Sequence, residues 1–235
     1  MSVDMSVLSG ARLAFDLDGT LVDTAPDLVR ALNEAVAPDG LGPVPIDAVR
    51  AMVGRGARAL IERAYMREGK PALAPEALDE RLERFLTSYR AGLSDQSRIF
   101  DGVEDALNVC AEHGAVLSVC TNKPTHLAVP LLEQLGLAGR FVRITGPEDT
   151  EAKKPDGRHL ETAIAGKADY KTVLIGDSEP DVLAAANSGA GSIVFTGGYS
   201  EKPVHALGAD RLFESWIDLP ELIAELITER NAIAD

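Results

Sequence analysis

Two aspartates separated by one residue form the first motif in the chain that could bind a metal or take part in a reaction. Asp16 and Asp18 lie in the stretch Asp16-Leu-Asp-Gly-Thr20, which directly follows the apolar run Leu13–Phe15. Two carboxylates this close repel each other unless a cation lies near them, and aligned carboxylate oxygens suit a hard ion such as Mg²⁺. The motif therefore predicts a magnesium site, and the alternative is an ordinary aspartate-rich turn.

A second acidic motif also follows an apolar run. Gly176-Asp-Ser-Glu-Pro-Asp181 comes directly after Val173–Ile175 and leads into a predicted helix. Asp177 falls at the end of the predicted strand and can complete the oxygen shell of the same ion. Asp181 lies four residues later, at the beginning of the helix, where it can face the same site. The alternative is that Asp177 or Ser178 only caps the helix.

Two further positions offer groups that bind anions. Thr121 and Asn122 follow the apolar run Val116–Cys120, and their hydroxyl, amide and neighbouring backbone N–H groups at a helix start predict an anion site. Lys154, just before Pro155 and a predicted helix, could neutralise a phosphate and the aspartates. Each feature alone is compatible with an N-cap turn or a solvated lysine. The ordered combination of four such motifs is much more specific.

The elements that must position these motifs alternate along the chain. Five short apolar runs predict strands that are buried on both faces: 12–16, 115–120, 141–144, 172–176 and 192–196. Helical patterns with proline starts or glycine stops lie between them: 103–113, 124–135, 158–165 and 180–188. This alternation predicts an α/β fold with a doubly wound parallel sheet, whose strand ends form the ligand-binding edge. A last amphipathic helix is expected within 216–234.

One section breaks the alternation and is helical throughout. No convincing strand occurs from about Thr24 to Leu93, and four helices are expected at 26–37, 46–53, 57–66 and 75–93. We interpret residues 23–93 as a helical cap domain inserted into an α/β core domain made of residues 1–22 and 94–235. A cap that closes over an active site is the functional interpretation, and a merely structural subdomain is the alternative.

The composition limits the possible partners. The 235 residues carry 23 Lys and Arg against 37 Asp and Glu, a formal net charge of −14, so nucleic acid and anionic membranes are not expected partners. No signal-peptide pattern and no apolar run near the roughly 18 residues of a membrane span occurs. Cys110 and Cys120 form no disulfide framework. We therefore expect a cytoplasmic monomer or homodimer that acts on a small metabolite.

The four histidines do not show the spacing of a metal site. They are His113, His126, His159 and His205, scattered along the chain. We expect each of them to be a surface or capping histidine.

Taken together, the motifs resemble the haloacid dehalogenase superfamily over roughly Arg12 to Gly198. The resemblance implies a Rossmann-like core with an inserted cap and a Mg²⁺-dependent reaction. It implies that Asp16 is the nucleophile and Asp18 the general acid and base. The implied metal ligands are the Asp16 side chain, the Asp18 backbone carbonyl and Asp177, with Asp181 acting on the metal indirectly.

The same resemblance assigns the remaining site residues. Thr121 and Lys154 are expected to contact the phosphate, and Gly19, Thr20 and Asn122 are expected to line the substrate site. In the implied mechanism Asp16 attacks phosphorus and forms an aspartyl-phosphate. Asp18 protonates the leaving oxygen and then activates the water that hydrolyses the intermediate.

Within the superfamily the chain resembles the phosphoglycolate phosphatases most. The shared stretches are Asp16–Asp27, Val53–Ala57, Thr121–Thr125 and Pro130–Gly136. This likeness implies hydrolysis of a phosphomonoester, with 2-phosphoglycolate as the expected substrate. Arg55 would lie on a cap loop facing the site, where it could hold the substrate carboxylate, although a solvated arginine fits the glycine turn equally well.

Other functions use the same aspartate pair and stay open at this point. A mutase similar to β-phosphoglucomutase and a broad sugar-phosphate phosphatase are the catalytic alternatives. A non-catalytic sensor of phosphorylated ligands is the alternative from another class, and the intact catalytic set argues against it.

Overall fold

A six-stranded parallel sheet forms the centre of the computed structural model, which describes residues 3–50, 52–54 and 56–234. In chain order the strands are β1 (Arg12–Phe15), β2 (Val22–Asp23), β3 (Arg98–Ile99), β4 (Val116–Cys120), β5 (Arg143–Thr145), β6 (Thr172–Gly176), β7 (Gly191–Phe195) and β8 (Arg211–Phe213). The order across the sheet is β5-β4-β1-β6-β7-β8, and all neighbours are parallel. Strands β2 and β3 form a separate antiparallel pair.

Helices connect the strands on both faces of the sheet. They are α1 (Ala25–Val36), α2 (Ile46–Arg50), α3 (Ala57–Arg67), α4 (Pro75–Ala91), α5 (Val103–Glu112), α6 (Thr125–Gln134), α7 (Gly157–Ala163), α8 (Glu179–Ser188) and α9 (Leu219–Ala234). Helices α7 and α8 pack on one face, and α5 and α9 pack on the other. None of the described helices combines the length and apolar character needed to cross a membrane. The doubly wound α/β prediction is confirmed.

The two faces of the sheet bury side chains of different size. Leu13 and Phe15 of β1 belong to the larger core cluster, whereas Ala14 between them belongs to a smaller one. The smaller cluster includes Ala163 of α7 and Ala184 and Ala185 of α8, and these small side chains allow the two helices to approach the sheet closely. Trp216 stacks against Phe15 on the opposite face, with ring centroids 6.3 Å apart. The alternation in β1 thus follows from the period of two in an extended chain.

The observed strands differ from the prediction at two places. The edge strand β8 was not predicted, because three residues with an exposed Leu212 carry too short an apolar pattern. The β2–β3 pair was also missed, since each of its strands has only two residues. The bounds of the predicted helices agree with the structure to within a few residues.

Helices α1 to α4 lie between β2 and β3 in the chain, and α1 packs against the other three. The chain therefore enters and leaves this helical segment through two neighbouring strands. The helical character of the segment agrees with the prediction, while its division as a cap domain at residues 23–93 stays an interpretation.

A buried aspartate at the start of the helical segment forms hydrogen bonds with the chain that follows the end of this segment. Asp27, in the first turn of α1, is fully buried. Its Oδ2 accepts hydrogen bonds from the Gln96 backbone N–H at 3.0 Å, and from the Ser97 backbone N–H and hydroxyl at 2.8 Å each. The other carboxylate oxygen, Oδ1, lies 3.7 Å from the Arg30 guanidinium. These bonds hold the segment that leads into β3 against the start of α1.

Replacing Asp27 by alanine is expected to destabilise the protein. The Asp27→Ala change leaves buried donors without an acceptor, so the free energy of unfolding should fall by about 2–4 kcal/mol. The measurement is urea unfolding followed by circular dichroism. Asp47→Ala is the matched control, because the Asp47 side chain is 90% exposed and its loss should cost less than about 0.5 kcal/mol. Equal effects of the two substitutions would contradict the anchoring role of Asp27.

Candidate active site

The four predicted motifs meet at the carboxyl edge of the sheet. Asp16 follows β1, Thr121 follows β4 and Asp177 follows β6, and these three strands are neighbours. Lys154 comes from the loop before α7. All four side chains are buried. Parallel strands end at the same edge, so residues far apart in the chain are brought into one site.

Lys154 is the cation that joins the aspartates. Its Nζ lies 2.8 Å from Asp16 Oδ1 and donates a hydrogen bond to Asp181 Oδ1 at 2.6 Å. Burial alone would lower the pKa of this lysine, but the two carboxylates raise it above its usual value. Lys154 is therefore charged, and it fixes the side chain of Asp16 at the end of β1.

Asp181 uses both of its oxygens inside the protein. While Oδ1 accepts from Lys154, Oδ2 accepts from the backbone N–H and the hydroxyl of Ser178 at 3.1 and 2.8 Å. The Ser178 contacts cap the N-terminus of α8. Asp181 thus orients Lys154 and shapes the loop that follows Asp177.

Asp177 is held by two loops that approach it closely. Its Oδ2 accepts from the Tyr199 backbone N–H at 2.5 Å, and its Oδ1 lies 3.3 Å from the donating hydroxyl of Thr20. Gly19 has φ +87°, and a Cβ there would lie only 2.4 Å from Asp177 Oδ2. Glycine at position 19 is therefore required both by the backbone conformation and by the close approach of the carboxylate.

The three buried aspartates fit a divalent cation. Asp16, Asp177 and Asp181 each present an oxygen within 4.8 Å of the others. Burial raises the pKa of Asp16 to about 6; Lys154 opposes this shift and Asp181 adds to it. Burial, followed by the charges of Asp181 and Asp16, raises the pKa of Asp177 well above its usual value. A hard cation stabilises such crowded carboxylates when they are ionised, and this all-oxygen set matches the preference of Mg²⁺.

Asp18 lies in a different environment from the other aspartates. Its Oδ1 accepts a hydrogen bond from the Thr24 hydroxyl at 2.7 Å. The Lys123 ammonium donates to Asp18 Oδ1 at 3.0 Å and approaches Oδ2 at 3.3 Å. It also donates to the Tyr89 hydroxyl at 2.7 Å and lies 4.4 Å from the centre of that ring. Asp18 is thus oriented by a buried network that includes a residue of α4.

Lys123 is the functional candidate that the sequence prediction missed. The residue is buried, and although burial opposes its charge, Asp18 and Tyr89 raise its pKa above the usual value. It directly follows the predicted anion-binding pair Thr121 and Asn122, and this adjacency was the available signal. A lysine in a loop is ordinarily solvated, so its burial could be learned only from the structure.

Asn122 connects the loop after β4 to two other segments. Its side-chain amide donates to the carbonyl oxygens of Gly54 and Lys154, both at 3.1 Å. The first bond reaches the helical segment and the second reaches the lysine loop. Asn122 therefore lines the site and also fixes the position of its neighbours. Arg55, predicted to hold the substrate carboxylate, lies outside the described residues.

One histidine differs from its expectation. His159 is fully buried, so the prediction of a surface or capping role was wrong for this residue. Burial, followed by the nearby charge of Lys154, lowers the pKa of His159 to about 4, which keeps the ring neutral at physiological pH. Its Nδ1 accepts a hydrogen bond from the Lys154 backbone N–H at 3.0 Å. The histidine thus supports the loop that presents Lys154.

A small cavity of about 60 Å³ lies between the sheet edge and the helical segment. Its polar wall contains Asp16, Asp18, Thr121, Asn122 and Lys123. The opposite wall is apolar and is formed mainly by Leu28, Val53, Ala57, Leu60, Phe85, Leu86 and Leu127. This volume is space for only a few water-sized molecules, and the cavity is partly open to solvent.

Comparisons with known proteins agree with this architecture. Residues 13–195 match the family model described as haloacid dehalogenase-like hydrolase. The chain is 46% identical over 223 residues to a phosphoglycolate phosphatase of Caulobacter vibrioides, with 94% of each chain covered. It is 42% identical over 224 residues to one of Agrobacterium fabrum, covering 94% of this chain and 95% of the relative.

A solved structure has the same fold over most of its length. The crystal structure of a predicted phosphoglycolate phosphatase from Haemophilus somnus 129pt superposes with a TM-score of 0.82 at 27% identity. The match covers 91% of this chain and 97% of the other. The similarity therefore includes both the sheet and the helical segment.

Magnesium is expected to stabilise the protein, and more strongly at neutral than at acidic pH. At a concentration about 100-fold above its Kd it should add about 2.7 kcal/mol, a rise in Tm of roughly 5–10 °C. Metal ligands must be deprotonated, and the pKa of Asp16 is about 6. The rise should therefore be nearly complete at about pH 7.5 and much smaller at about pH 5.

Thermal unfolding with and without Mg²⁺ measures this effect. The Asp177→Asn variant should lose most of the rise in Tm, because it removes one of the clustered carboxylates. Asp105→Asn is the matched control at an exposed position and should keep the full rise. An unchanged rise in Asp177→Asn would rule out this site for the metal.

Proposed function

The chain belongs to the haloacid dehalogenase-like hydrolase family, and on this premise we propose that it is a Mg²⁺-dependent phosphatase that hydrolyses 2-phosphoglycolate through an aspartyl-phosphate. The observation that carries the proposal is the buried Asp16, which is paired with Lys154 and opens into the small cavity. The names of the Caulobacter vibrioides and Agrobacterium fabrum relatives support the substrate. The free cysteines Cys110 and Cys120 are consistent with the proposed cytoplasmic location.

Asp16 is the proposed nucleophile. Its carboxylate lies at the end of a buried strand, and Lys154 fixes its orientation through a 2.8 Å contact. A substrate phosphoryl group placed in the cavity would meet Asp16 on one side and the Thr121 hydroxyl nearby. Bound at Asp16, Asp177 and the Asp18 backbone carbonyl, Mg²⁺ would supply charge neutralisation between the nucleophile and the phosphate. Lys154 and Thr121 would stabilise the charge on the transferred group.

Asp18 is the proposed general acid and base. The contacts with Thr24 and Lys123 hold its carboxyl group at the cavity wall, two residues from the nucleophile. In the first step it gives a proton to the leaving oxygen, and in the second it takes a proton from the water that attacks the phospho-Asp16. A fixed position for this group matters, because proton transfer requires hydrogen-bond distance to the reacting oxygen.

The apolar wall of the cavity supports a small substrate. It shields the phosphoryl site from part of the bulk water, and it offers few polar partners to the hydroxyl groups of a sugar. This favours 2-phosphoglycolate over the hexose phosphates that a mutase or a broad sugar-phosphate phosphatase would use.

Replacing the nucleophile should abolish turnover without unfolding the protein. Asp16→Asn is nearly isosteric, but an amide cannot attack phosphorus, so kcat for 2-phosphoglycolate should fall by at least roughly 10⁴-fold. Phosphate release measures the activity, and circular dichroism verifies the fold. Asp105→Asn should retain wild-type kcat. Substantial turnover by folded Asp16→Asn would show that another group performs the attack.

A variant of the general acid should reveal the covalent intermediate. p-Nitrophenyl phosphate needs no protonation of its leaving group, so Asp18→Asn should still be phosphorylated but should lose its phosphate slowly. We expect a rapid burst of about one nitrophenol per enzyme, with a phosphoryl group found on Asp16 by mass spectrometry. The double variant with Asp16→Asn should show no burst. A burst without phosphorylation at Asp16 would contradict the aspartyl-phosphate mechanism.

A further inference from the structure

Two lysines are buried in the described part of the chain, and both lie in the active site. Lys154 serves the nucleophile side, where it contacts Asp16 and Asp181. Lys123 lies on the side of the general acid, where it contacts Asp18 and Tyr89. Burying a second ammonium group is costly, and in the proposed phosphoryl transfer Lys123 only orients Asp18.

The contacts of Lys123 leave it able to bind a ligand. An ammonium group has three N–H donors. Among the described residues its acceptors are Asp18 Oδ1 at 3.0 Å, Asp18 Oδ2 at 3.3 Å and the Tyr89 hydroxyl at 2.7 Å. The residue also lines the cavity. The 3.3 Å contact with Asp18 Oδ2 is the longest of the three, so the donor that makes it can turn to an acceptor on a molecule bound in the cavity.

The surroundings of Lys123 determine what that acceptor would be. Among the described residues that line the cavity, Lys123 is the sole cation, and Asp16 and Asp18 are the acidic residues. An anionic group on the leaving part of the substrate would be repelled by the nucleophile Asp16 and would find no partner in the apolar wall. Of the lining residues that the structure describes, Lys123 is the one whose charge would attract such a group.

We propose that Lys123 is the residue that selects a carboxylate on the leaving group of the substrate. This inference rests on the proposed phosphatase function and assigns to Lys123 the recognition that the sequence had suggested for Arg55. Because Lys123 contacts both oxygens of Asp18, its ligand lies beside the group that protonates the leaving oxygen. The carboxylate must therefore be separated from that oxygen by a very short chain, as it is in 2-phosphoglycolate.

The test compares two substrates that differ in the carboxylate. 2-Phosphoglycolate and ethyl phosphate have leaving groups of two carbons, but only the first is charged. The measured quantity is the ratio of their kcat/KM values. Lys123→Met also removes a partner of Asp18, so both values should fall. The ratio should nevertheless fall by about 10- to 100-fold, because only one substrate loses a charge-assisted hydrogen bond.

Matched variants separate recognition from general damage. Lys153→Met removes an exposed lysine in the loop beside Lys154 and should keep the wild-type ratio. Lys123→Gln removes the charge but keeps polar groups near Asp18 and Tyr89. It can therefore replace Lys123→Met if that variant does not fold. It should also lower the ratio. Arg55→Gln tests the residue that the sequence had suggested, and the inference requires the ratio of this variant to stay near the wild-type value.

The outcomes distinguish this inference from the function on which it rests. If wild type prefers 2-phosphoglycolate and folded Lys123 variants keep that preference, the inference is overturned while the function stands. If the ratio of kcat/KM values falls strongly in Arg55→Gln but not in Lys123→Gln, Arg55 and not Lys123 recognises the carboxylate. If wild type hydrolyses neither substrate, or shows no preference for the carboxylate, the proposed function itself is wrong in activity or in substrate.

Discussion

The structure depends most on the contacts between one buried lysine and a cluster of buried carboxylates. Lys154 contacts Asp16 and Asp181, and Asp177 lies in the same cluster. Carboxylates removed from water repel one another, and few arrangements compensate for that cost. The three loops that carry these residues must therefore keep fixed positions relative to one another. The parallel sheet provides those positions because β1 and β6 end side by side.

The sequence was sufficient for the features that depend on local pattern. Runs such as Val173–Ile175 are apolar, and the two acidic motifs and Thr121 directly follow such runs, so the edge of the sheet where these residues meet could be predicted. The features that were missed depend on distant contacts. Lys123 is buried because Tyr89 and Asp18 approach it, and His159 is buried beneath the lysine loop. The spacing of residues along the chain does not indicate the burial of either side chain.

Several polar contacts connect the helical segment to the loops of the candidate active site. Asn122 donates to the carbonyl oxygen of Gly54, and Lys123 donates to the hydroxyl of Tyr89 in α4. Both donors belong to the loop that also carries Thr121. The groups that would surround the phosphate are thus bonded directly to the segment that covers them. A displacement of the helices would disturb the surroundings of Asp18 as well as the apolar wall.

The antiparallel pairing of β2 with β3 has a consequence for the evolution of proteins with this fold. Since β2 and β3 lie side by side, the ends of the helical segment are close together whatever lies between them. The entropy of closing a loop grows only slowly with its length. Segments of other sizes could be exchanged at this junction while the sheet and its acidic edge are preserved, so new substrate preferences could evolve without rebuilding the reaction centre.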